Sequence, residues 1–201
     1  MLKNENQREA VVEEKDFQRL LKACDWTSQN TEGDSPVATV TGKTIRALFT
    51  VMYDCGIRAG EACPLEWSTV NIPDKWVFIA SGKTKAARRR VGLTRRAIVA
   101  LRALRALRPK ARYCFTRHNA DRPLTVGWVS HKFMRLRRAL ELPDGVVLHS
   151  LRHSCATRLG NAGANVLDLP KVMGWSSPVI AARYVHLDEA RMQTLSGLLE
   201  V

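Results

Sequence analysis

The sequence contains few aromatic residues and no long apolar segment. Aromatic residues account for 6% of its 201 positions. No stretch approaches the roughly 20 apolar residues that span a bilayer, and residues 1–30 carry charges throughout instead of the apolar core of a signal peptide. These absences exclude a membrane-spanning chain, and we expect a soluble protein of the cytoplasm. The hydrophobic content of 45% is enough for one domain with a hydrophobic core.

Cysteine is sparse, and its spacing excludes two common uses of the residue. The five cysteines are an odd number and include no CxxC pair, whereas disulfide frameworks and zinc sites need paired or closely spaced cysteines. We therefore expect reduced thiols in the core, no bound metal and no cofactor. The sequence also lacks a P-loop and clustered carboxylates, so it predicts no ATP site. The cysteines are Cys24, Cys55, Cys63, Cys114 and Cys155.

Positive charge is in excess. The chain has 32 lysines and arginines against 19 aspartates and glutamates, which gives a formal net charge of +13. Such a charge attracts polyanions, and nucleic acid is the abundant polyanion of a cell. A solvated basic surface would account for the charge alone, but such a surface usually mixes both signs. The arginines instead form clusters at Arg88–Arg90, Arg95–Arg96, Arg102–Arg108 and Arg135–Arg138. We therefore favour a nucleic-acid partner.

Hydrophobic periodicity predicts a mainly helical domain with one small sheet. Thr125 and Ser177 are residue types that cap helices, Pro178 is suited to a first helical position, and Gly174 can end a helix in the left-handed conformation. Pro170 should shorten or kink the helix in which it falls. The predicted helices span 13–24, 44–54, a short stretch after 58–61, 98–107, 129–140, 150–162, 166–173, 178–185 and 188–199. The predicted strands span 67–72, 76–80 and 90–93, with a loop at 27–36 and a basic loop at 81–90.

Two basic segments are candidates for contact with an anion. In Cys55–Glu61, Arg58 follows the end of an apolar helix between glycines that permit close approach to the backbone. A surface arginine at a helix break is the plainer interpretation. In the loop 81–90, Lys83 and Lys85 precede three consecutive arginines. Such a loop can lie against phosphates, or it can keep the edge of a small sheet from pairing with neighbouring chains.

Two further segments hold candidate catalytic groups. His149 and His153 lie four residues apart on one face of a predicted helix, with Arg152 between them. A metalloprotease needs a glutamate directly after the first histidine, where Ser150 stands. We therefore prefer a shared anion site for His149 and Arg152, with His153 packed or hydrogen-bonded behind them. Tyr184 lies at the far end of a short exposed helix, and alone it would be an ordinary half-buried tyrosine.

The order of these segments is more specific than any one of them. An arginine, a lysine in a hairpin, His-x-x-Arg, Gly-Trp and a tyrosine occur in succession on a basic chain. This arrangement resembles the tyrosine recombinase (phage-type integrase) family. The resemblance covers residues 13–195, and its most specific parts are Gly56–Glu61, His149–His153 and the ten-residue interval from Gly174 to Tyr184.

The resemblance implies a fold and a set of site residues. The fold is the mixed α+β, mainly helical catalytic domain of DNA breaking-rejoining enzymes, with a small three-stranded antiparallel sheet. The nucleophile would be Tyr184, which forms a covalent 3′-phosphotyrosine intermediate with double-stranded DNA. Between the two hairpin lysines, Lys83 fits the family pattern better than Lys85. The other implied catalytic residues are Arg58, Lys83, His149, Arg152 and Trp175, and the implied DNA-binding residues are Lys85, Arg88, Arg89 and Arg90.

Strand transfer needs these residue types. Attack on a phosphodiester builds negative charge on its non-bridging oxygens, which two guanidiniums stabilise with paired hydrogen bonds. The tyrosine hydroxyl has a reference pKa of about 10 and needs a base or cationic neighbours. His149 is the candidate that handles its proton, and Lys83 can protonate the departing 5′ oxygen. Trp175 can donate one hydrogen bond but cannot titrate. The tyrosyl ester conserves the bond energy, so rejoining needs neither ATP nor metal.

The two ends of the sequence carry separate expectations. Members of the resembling family usually have an N-terminal helical core-binding domain, whereas only polar residues 1–12 precede the first predicted helix. We expect residues 1–201 to form a single catalytic domain, without that N-terminal domain and with 1–12 as a flexible lead-in. Alone it should bind DNA weakly. The amphipathic segment 187–201 either docks on a neighbouring protomer, in a tetramer on DNA, or folds back on its own domain.

Other functions stay open at this level. A type IB topoisomerase shares the chemistry but nicks and religates a single strand. A DNA-binding relative without activity would keep the fold, although the complete set of catalytic residue types argues against it. A metal hydrolase built on His149 and His153 is a distant alternative. No small-molecule substrate is expected in any interpretation that uses the phosphotyrosine chemistry.

Overall fold

The computed structural model describes residues 10–32, 36–80, 88–117 and 122–185. For residues 25–32 and 36–39 it describes the backbone alone. Within the described residues the chain forms eight helices and three short strands, which confirms a mixed and mainly helical fold. In chain order the elements are α1 (Glu14–Glu32), α2 (Pro36–Cys55), α3 (Ala59–Ala62), β1 (Val70–Asn71), β2 (Trp76–Ile79), β3 (Arg89–Gly92), α4 (Arg95–Leu107), α5 (Val126–Ala139), α6 (Ser150–Asn161), α7 (Asp168–Met173) and α8 (Pro178–Ala182).

The predicted three-stranded antiparallel sheet is confirmed. Its strand order is β1-β2-β3, with Val70 opposite Val77 and Phe78 opposite Arg90. Along β2, Val77 and Ile79 are buried while their neighbours are half-buried, as expected for a strand with one face on the core. The sheet brings β3 back beside α7.

Helix α2 is the centre of the main core. It packs against α1, α4 and α6, and the predicted apolar face of Ile45, Leu48 and Met52 is buried. Phe17 of α1 stacks on Tyr53 of α2 with ring centroids 3.8 Å apart. Burial of large side chains on this scale contributes about 1.5–3 kcal/mol for each residue. A helix fixed so firmly gives a rigid starting point for the segment after its C-terminus.

The first two helices are longer than the sequence predicts. The predicted helix 13–24 continues to Glu32, so the loop expected at 27–36 is wrong for its first six residues. Residues 27–32 contain no glycine or proline, and their polar side chains disfavour a helix by less than about 1 kcal/mol each. The helix predicted at 44–54 begins already at Pro36, where the missing N–H of proline costs nothing.

Smaller differences concern element ends. Residues 67–69 form a 3-10 turn ahead of β1, and the third strand spans 89–92 instead of 90–93. The short helix predicted after 58–61 overlaps that segment at 59–62. Pro170 shortens its helix, as predicted: α7 begins at Asp168 and holds the proline in its first turn, where backbone N–H groups have no partner within the helix.

A second, smaller hydrophobic cluster joins α6, α7 and α8. Its buried members include Leu169, Met173 and Ala181, and Trp175 and Tyr184 pack half-buried against them. The junctions agree with the sequence signals. Gly174 ends α7 in the left-handed conformation (φ 64°), and Ser177 caps α8 by accepting a hydrogen bond from the N–H of Val179. None of the helices that the structure describes is long and apolar enough to cross a membrane.

Candidate active site

Arg58 lies in the bend between α2 and α3. Gly56 ends α2 with a positive φ of 66°, and a Cβ on it would lie 2.7 Å from Sδ of Met173, so the bend needs glycine. Arg58 is half-exposed. Its Nη1 donates to Oε1 of Glu61 over 2.9 Å, and its Nη2 donates to the carbonyl oxygen of Gly174 over 2.8 Å. The guanidinium is thus held between α3 and the end of α7.

Arg152 approaches the same place from α6. Its side chain is buried, and Nη1 donates to the carbonyl of Gly56 over 2.6 Å while Nη2 donates to the carbonyl of Met173. Burial and the nearby charge of Arg58 lower the pKa of the Arg152 guanidinium to about 9, which leaves it protonated at neutral pH. Arg58 and Arg152 therefore bind the carbonyls of two consecutive residues, Gly174 and Met173, and share one basic site.

Glu61 is the acidic residue of this site, and it was not among the residues that the sequence pattern indicated. The carboxylate is buried and accepts hydrogen bonds from Arg58 and Arg89. Its own burial raises the pKa of this carboxyl, but the hydrogen bonds from Arg89 and Arg58 outweigh that effect and leave the pKa below its usual value. The position of an acid three residues after Arg58, inside a basic segment, was the signal available in the sequence.

Arg89 differs from its prediction. It was expected on a basic loop against DNA, but it lies in β3 with 8% of its surface exposed. Its Nη1 and Nη2 each lie 3.0 Å from a carboxylate oxygen of Glu61, and its Nε donates to the carbonyl of Val172 over 2.8 Å. A Cβ on Gly174 would lie 2.7 Å from its Nη1. Side chains alternate between the two faces of β3, and that of Arg89 points inward. Arg89 therefore contacts Glu61 from the buried side of the site.

The remaining loop candidates separate into two groups. Arg88 and Arg90, on either side of Arg89, are exposed, and the guanidinium of Arg90 lies 4.6 Å from the ring centroid of Trp76. Their contact with DNA stays a prediction. Lys83 and Lys85 lie outside the described residues, and so does the segment 187–201.

His149 stands at the N-terminus of α6, at the surface of the site. Its ring meets that of His153 edge to face with centroids 4.8 Å apart. Partial desolvation of the ring, together with the charges of His153, Arg152 and Arg58, lowers the pKa of His149 to about 4. The imidazole is therefore neutral at pH 7 and can donate or accept one hydrogen bond at each ring nitrogen according to its tautomer.

Tyr184 lies two residues after the end of α8, half-buried against the same cluster. Its hydroxyl lies 2.5 Å from Nδ1 of His153. Its ring is nearly parallel to that of Trp175, with an interplanar angle of 18° and centroids 5.3 Å apart. The guanidinium of Arg152 lies 5.8 Å from the Trp175 ring centroid. The chain of contacts from Arg152 through Trp175 to Tyr184 joins the basic site to the candidate nucleophile.

Gly160 fixes the backbone next to this tyrosine. A Cβ built on Gly160 would lie 1.8 Å from the carbonyl oxygen of Tyr184. This distance is too short for any side chain, so the position needs glycine. Helix α6 therefore positions three parts of the site: it contributes Arg152 to the basic pocket, His153 to the phenol, and a bare backbone surface to the segment that carries Tyr184. His153 was expected only behind the anion site, and the four-residue spacing from His149 was the signal that placed it on this face.

The described part of the chain offers no evident metal site. Among its residues, no three histidines, cysteines, aspartates or glutamates lie close enough together to hold an ion. All five cysteines are buried and unpaired by disulfides, and burial raises the pKa of Cys55 to about 12. These thiols are consistent with the reduced core residues that the sequence predicts.

Comparison with known proteins agrees with this geometry. The model of the phage integrase family matches residues 10–191. The tyrosine recombinase XerC of Brucella melitensis is 28% identical over 148 residues, which cover 73% of this chain and 47% of that protein. The XerC of Rhodospirillum centenum is 32% identical over 157 residues, covering 76% of this chain and 45% of that protein. The chain thus spans about half the length of the curated relatives it matches.

Solved structures show the same fold. A crystal structure of XerA recombinase superposes with a TM-score of 0.70 at 19% identity, covering 100% of this chain and 67% of that one. The Tn1549 transposon integrase in complex with transposon right end DNA gives a TM-score of 0.75 at 18% identity, covering 100% and 69%. With the family model matched over nearly all of its length, and the arginines, histidine and tyrosine of the predicted pattern gathered at one site, this chain belongs to the phage integrase family.

Proposed function

We propose that this chain is the catalytic domain of a site-specific DNA recombinase or integrase that cleaves and rejoins DNA strands through a 3′-phosphotyrosine on Tyr184. The observation that carries the proposal is the convergence of Arg58 and Arg152 on consecutive carbonyls, Met173 and Gly174, in the segment that leads to Trp175 and Tyr184. The site has more guanidiniums than carboxylates, which suits an anion with a net negative charge such as a phosphodiester.

Each residue of the site has its own part in the chemistry. Arg58 and Arg152 bind the non-bridging oxygens and stabilise the charge that develops during attack. The neutral His149 and the indole N–H of Trp175 complete the set of hydrogen-bonding groups. Attack by the Tyr184 oxygen forms a bond to phosphorus, and the bond to the 5′ oxygen breaks. Lys83 is the proposed donor of a proton to that oxygen. No step needs a metal ion or ATP, because the tyrosyl ester carries the energy for rejoining.

Double-stranded DNA is the proposed partner, and the proposed assembly is a tetramer on DNA. The net charge of +13 and the exposed arginines at 88 and 90 favour DNA. Support also comes from similar proteins: a λ integrase structure is a dimer bound to a core site, and a XerH structure is a pre-cleavage complex with its difH substrate. We propose that segment 187–201 joins neighbouring protomers, and that the protein acts on DNA in the cytoplasm.

The test is covalent trapping on a nicked DNA duplex in the presence of EDTA. Cleavage near the nick releases a short fragment that cannot return, so protein attached to DNA accumulates and is seen on a denaturing gel. We expect the adduct with the wild-type chain and with the control Tyr113→Phe, and none with Tyr184→Phe; peptide mapping should find the DNA on Tyr184. An adduct that survives in Tyr184→Phe would contradict the proposal.

A second assay separates recombination from the type IB topoisomerase alternative. Recombination exchanges strands between two duplexes, whereas a topoisomerase relaxes a supercoiled plasmid without exchange. Two labelled duplexes, incubated with the chain at a saturating protein concentration, should yield product strands that carry both labels. Plasmid relaxation with no doubly labelled product would favour the topoisomerase.

A further inference from the structure

We propose that His153 is the residue that takes the proton from the hydroxyl of Tyr184 when the phenol attacks DNA, a role that rests on the proposed function. The observation is the separation of 2.5 Å between Nδ1 of His153 and the hydroxyl oxygen of Tyr184. At this distance the phenol can donate a hydrogen bond directly to the ring nitrogen. A general base must lie within such reach of the proton that it abstracts.

Two further contacts, with Gly160 and Trp175, hold Tyr184 in this position. The backbone of the tyrosine rests against Gly160, whose missing side chain leaves room for the Tyr184 carbonyl. The tyrosine ring lies nearly parallel to Trp175 and at 27° to His153, with the latter centroids 6.1 Å apart. Gly160 and His153 are separated by seven residues, which is two turns of α6, so both face the same side of the helix. Helix α6 thus carries the proposed base, His153, and also Gly160, which contacts the backbone of Tyr184.

His149 is less suited to this step. Desolvation of the ring and the charges of His153, Arg152 and Arg58 all lower its pKa, and its ring meets that of His153 edge to face. Two neighbouring guanidiniums oppose the gain of a proton by His149. His153 lies one helical turn further along α6, between His149 and the phenol. We therefore assign the two histidines different roles. The neutral imidazole of His149 forms a hydrogen bond with the phosphate, and His153 accepts the phenolic proton.

The proposed step balances in both directions. In cleavage, the O–H bond of Tyr184 breaks as its oxygen bonds to phosphorus, and the proton moves to Nδ1 of His153; the step uses the neutral tautomer with hydrogen on Nε2. The bond from phosphorus to the 5′ oxygen breaks, and that oxygen takes a proton from Lys83. In rejoining, the 5′ hydroxyl attacks phosphorus and returns its proton to Lys83. The bond from phosphorus to the tyrosine oxygen breaks, and that oxygen recovers the proton from His153.

The test uses His153→Asn on the same kind of nicked duplex. The asparagine side-chain oxygen stands close to the position of Nδ1 and can accept a hydrogen bond, but it does not take up a proton. We expect cleavage to fall by about 10²- to 10⁴-fold, the usual contribution of a general base. The control His131→Asn changes an exposed histidine on α5 and should cleave like the wild type. Wild-type cleavage by His153→Asn would overturn the proposal.

A second measurement separates proton transfer from positioning. Replacing Tyr184 with difluorotyrosine lowers the pKa of the phenol and reduces its need for a base. We expect this replacement to raise the cleavage rate of His153→Asn at least tenfold more than that of the wild type. An equal change in both backgrounds would mean that His153 only positions the phenol, and the proposal would be wrong.

A measurement without DNA keeps this proposal distinct from the proposed function. In the full chain, the ¹⁵N resonance of Nδ1 of His153 should shift when Tyr184 is changed to phenylalanine, because the hydrogen bond is lost. The resonance of His131 should not shift. If the wild type forms no adduct but the His153 shift is present, the proposed function fails while the contact stands. If the shift is absent, the His153 proposal fails whatever the activity.

Discussion

Two buried carboxylates, Asp54 and Glu61, make an instructive pair because both are bound by arginines within a few residues of the end of α2. Asp54 accepts hydrogen bonds from Arg96 over 2.5 and 2.7 Å and a weaker one from Arg158 over 3.3 Å. Glu61 accepts hydrogen bonds from Arg58 and Arg89. Each carboxylate thus satisfies its oxygens with charged donors, as a buried charge requires.

The balance of charge differs between the two. At the first cluster Arg96 also binds Glu14, so that two arginines meet two acids and four elements, α1, α2, α4 and α6, are joined. At the second cluster, Glu61 meets Arg58 and Arg89. Arg152 lies close by, and its pKa depends on burial and also on the charges of these three residues. The first cluster is neutral and the second keeps an excess of positive charge. We expect the neutral cluster to stabilise the fold and the unbalanced one to bind an anion.

The largest effect expected from comparing the two clusters separates two arginines on one helix. Arg152 and Arg158 both belong to α6, but the first lies at the Glu61 cluster and the second at the Asp54 cluster. Replacement of Arg152 by lysine should lower the rate of covalent adduct formation by about 10²- to 10³-fold, because lysine loses the paired donors that stabilise the developing charge. Arg158→Ala should change the rate less than twofold. Equal losses in both variants would remove the distinction between the clusters.

The next prediction concerns the neutral cluster. Asp54→Asn leaves the buried side of Arg96 without its carboxylate, and we expect the free energy of unfolding to fall by about 3 kcal/mol. Urea denaturation followed by circular dichroism measures this loss. Under conditions where the variant is folded, its cleavage rate should match the wild type. A rate that falls as far as that of Arg152→Lys would mean that Asp54 contributes to the anion site.

The third prediction uses pH to identify the carboxylate of the charged cluster. The pKa of Glu61 lies below its unfolded value of about 4.3, so its ionised form stabilises the fold above that pH and this stabilisation is lost as pH falls through the folded pKa. The difference in unfolding free energy between wild type and Glu61→Gln should stay constant from pH 7 to 5 and shrink at pH 4 and 3. Urea titrations at these four pH values test it. A constant difference throughout would contradict it.

The smallest effect concerns the glycine beneath Tyr184. Gly160→Ala should move the tyrosine backbone and lower the cleavage rate by about tenfold, because small misplacements of a reacting group are costly. Gly127→Ala is the matched control, since it also changes a helical glycine but adds a Cβ with nothing within 4 Å. This control should leave cleavage unchanged and stabilise the protein by about 0.4–1 kcal/mol. If both variants cleave normally, Gly160 does not fix the nucleophile.

Much of the fold was predictable from local signals. The caps at Thr125 and Ser177 and the left-handed Gly174 appear where the sequence indicates them, because capping depends on residues only a few positions apart. The extension of α1 to Glu32 was not predictable in this way, since polar residues without glycine or proline permit a helix as well as a loop.

The site was predictable as a set of residue types but not as a set of contacts. Arg58 and Arg152 bind neighbouring carbonyls, whereas Arg89 turns inward, because one residue along a strand decides which face a side chain takes. Glu61 and His153 depend on partners 28 and 31 residues away. No local pattern reports such pairings, and only the three-dimensional structure brings them together.

The segment from Gly174 to Tyr184 is held in place by contacts at both of its ends. At one end Arg58 and Arg152 hold the carbonyls of Gly174 and Met173, and at the other the carbonyl of Tyr184 rests on Gly160. Each residue added to or removed from a helix rotates the rest of the chain by about 100° about the helix axis. An insertion of one residue in α8 would therefore turn the phenol away from the basic pocket while leaving every proposed catalytic side chain present. The spacing is as much a part of the site as the residues.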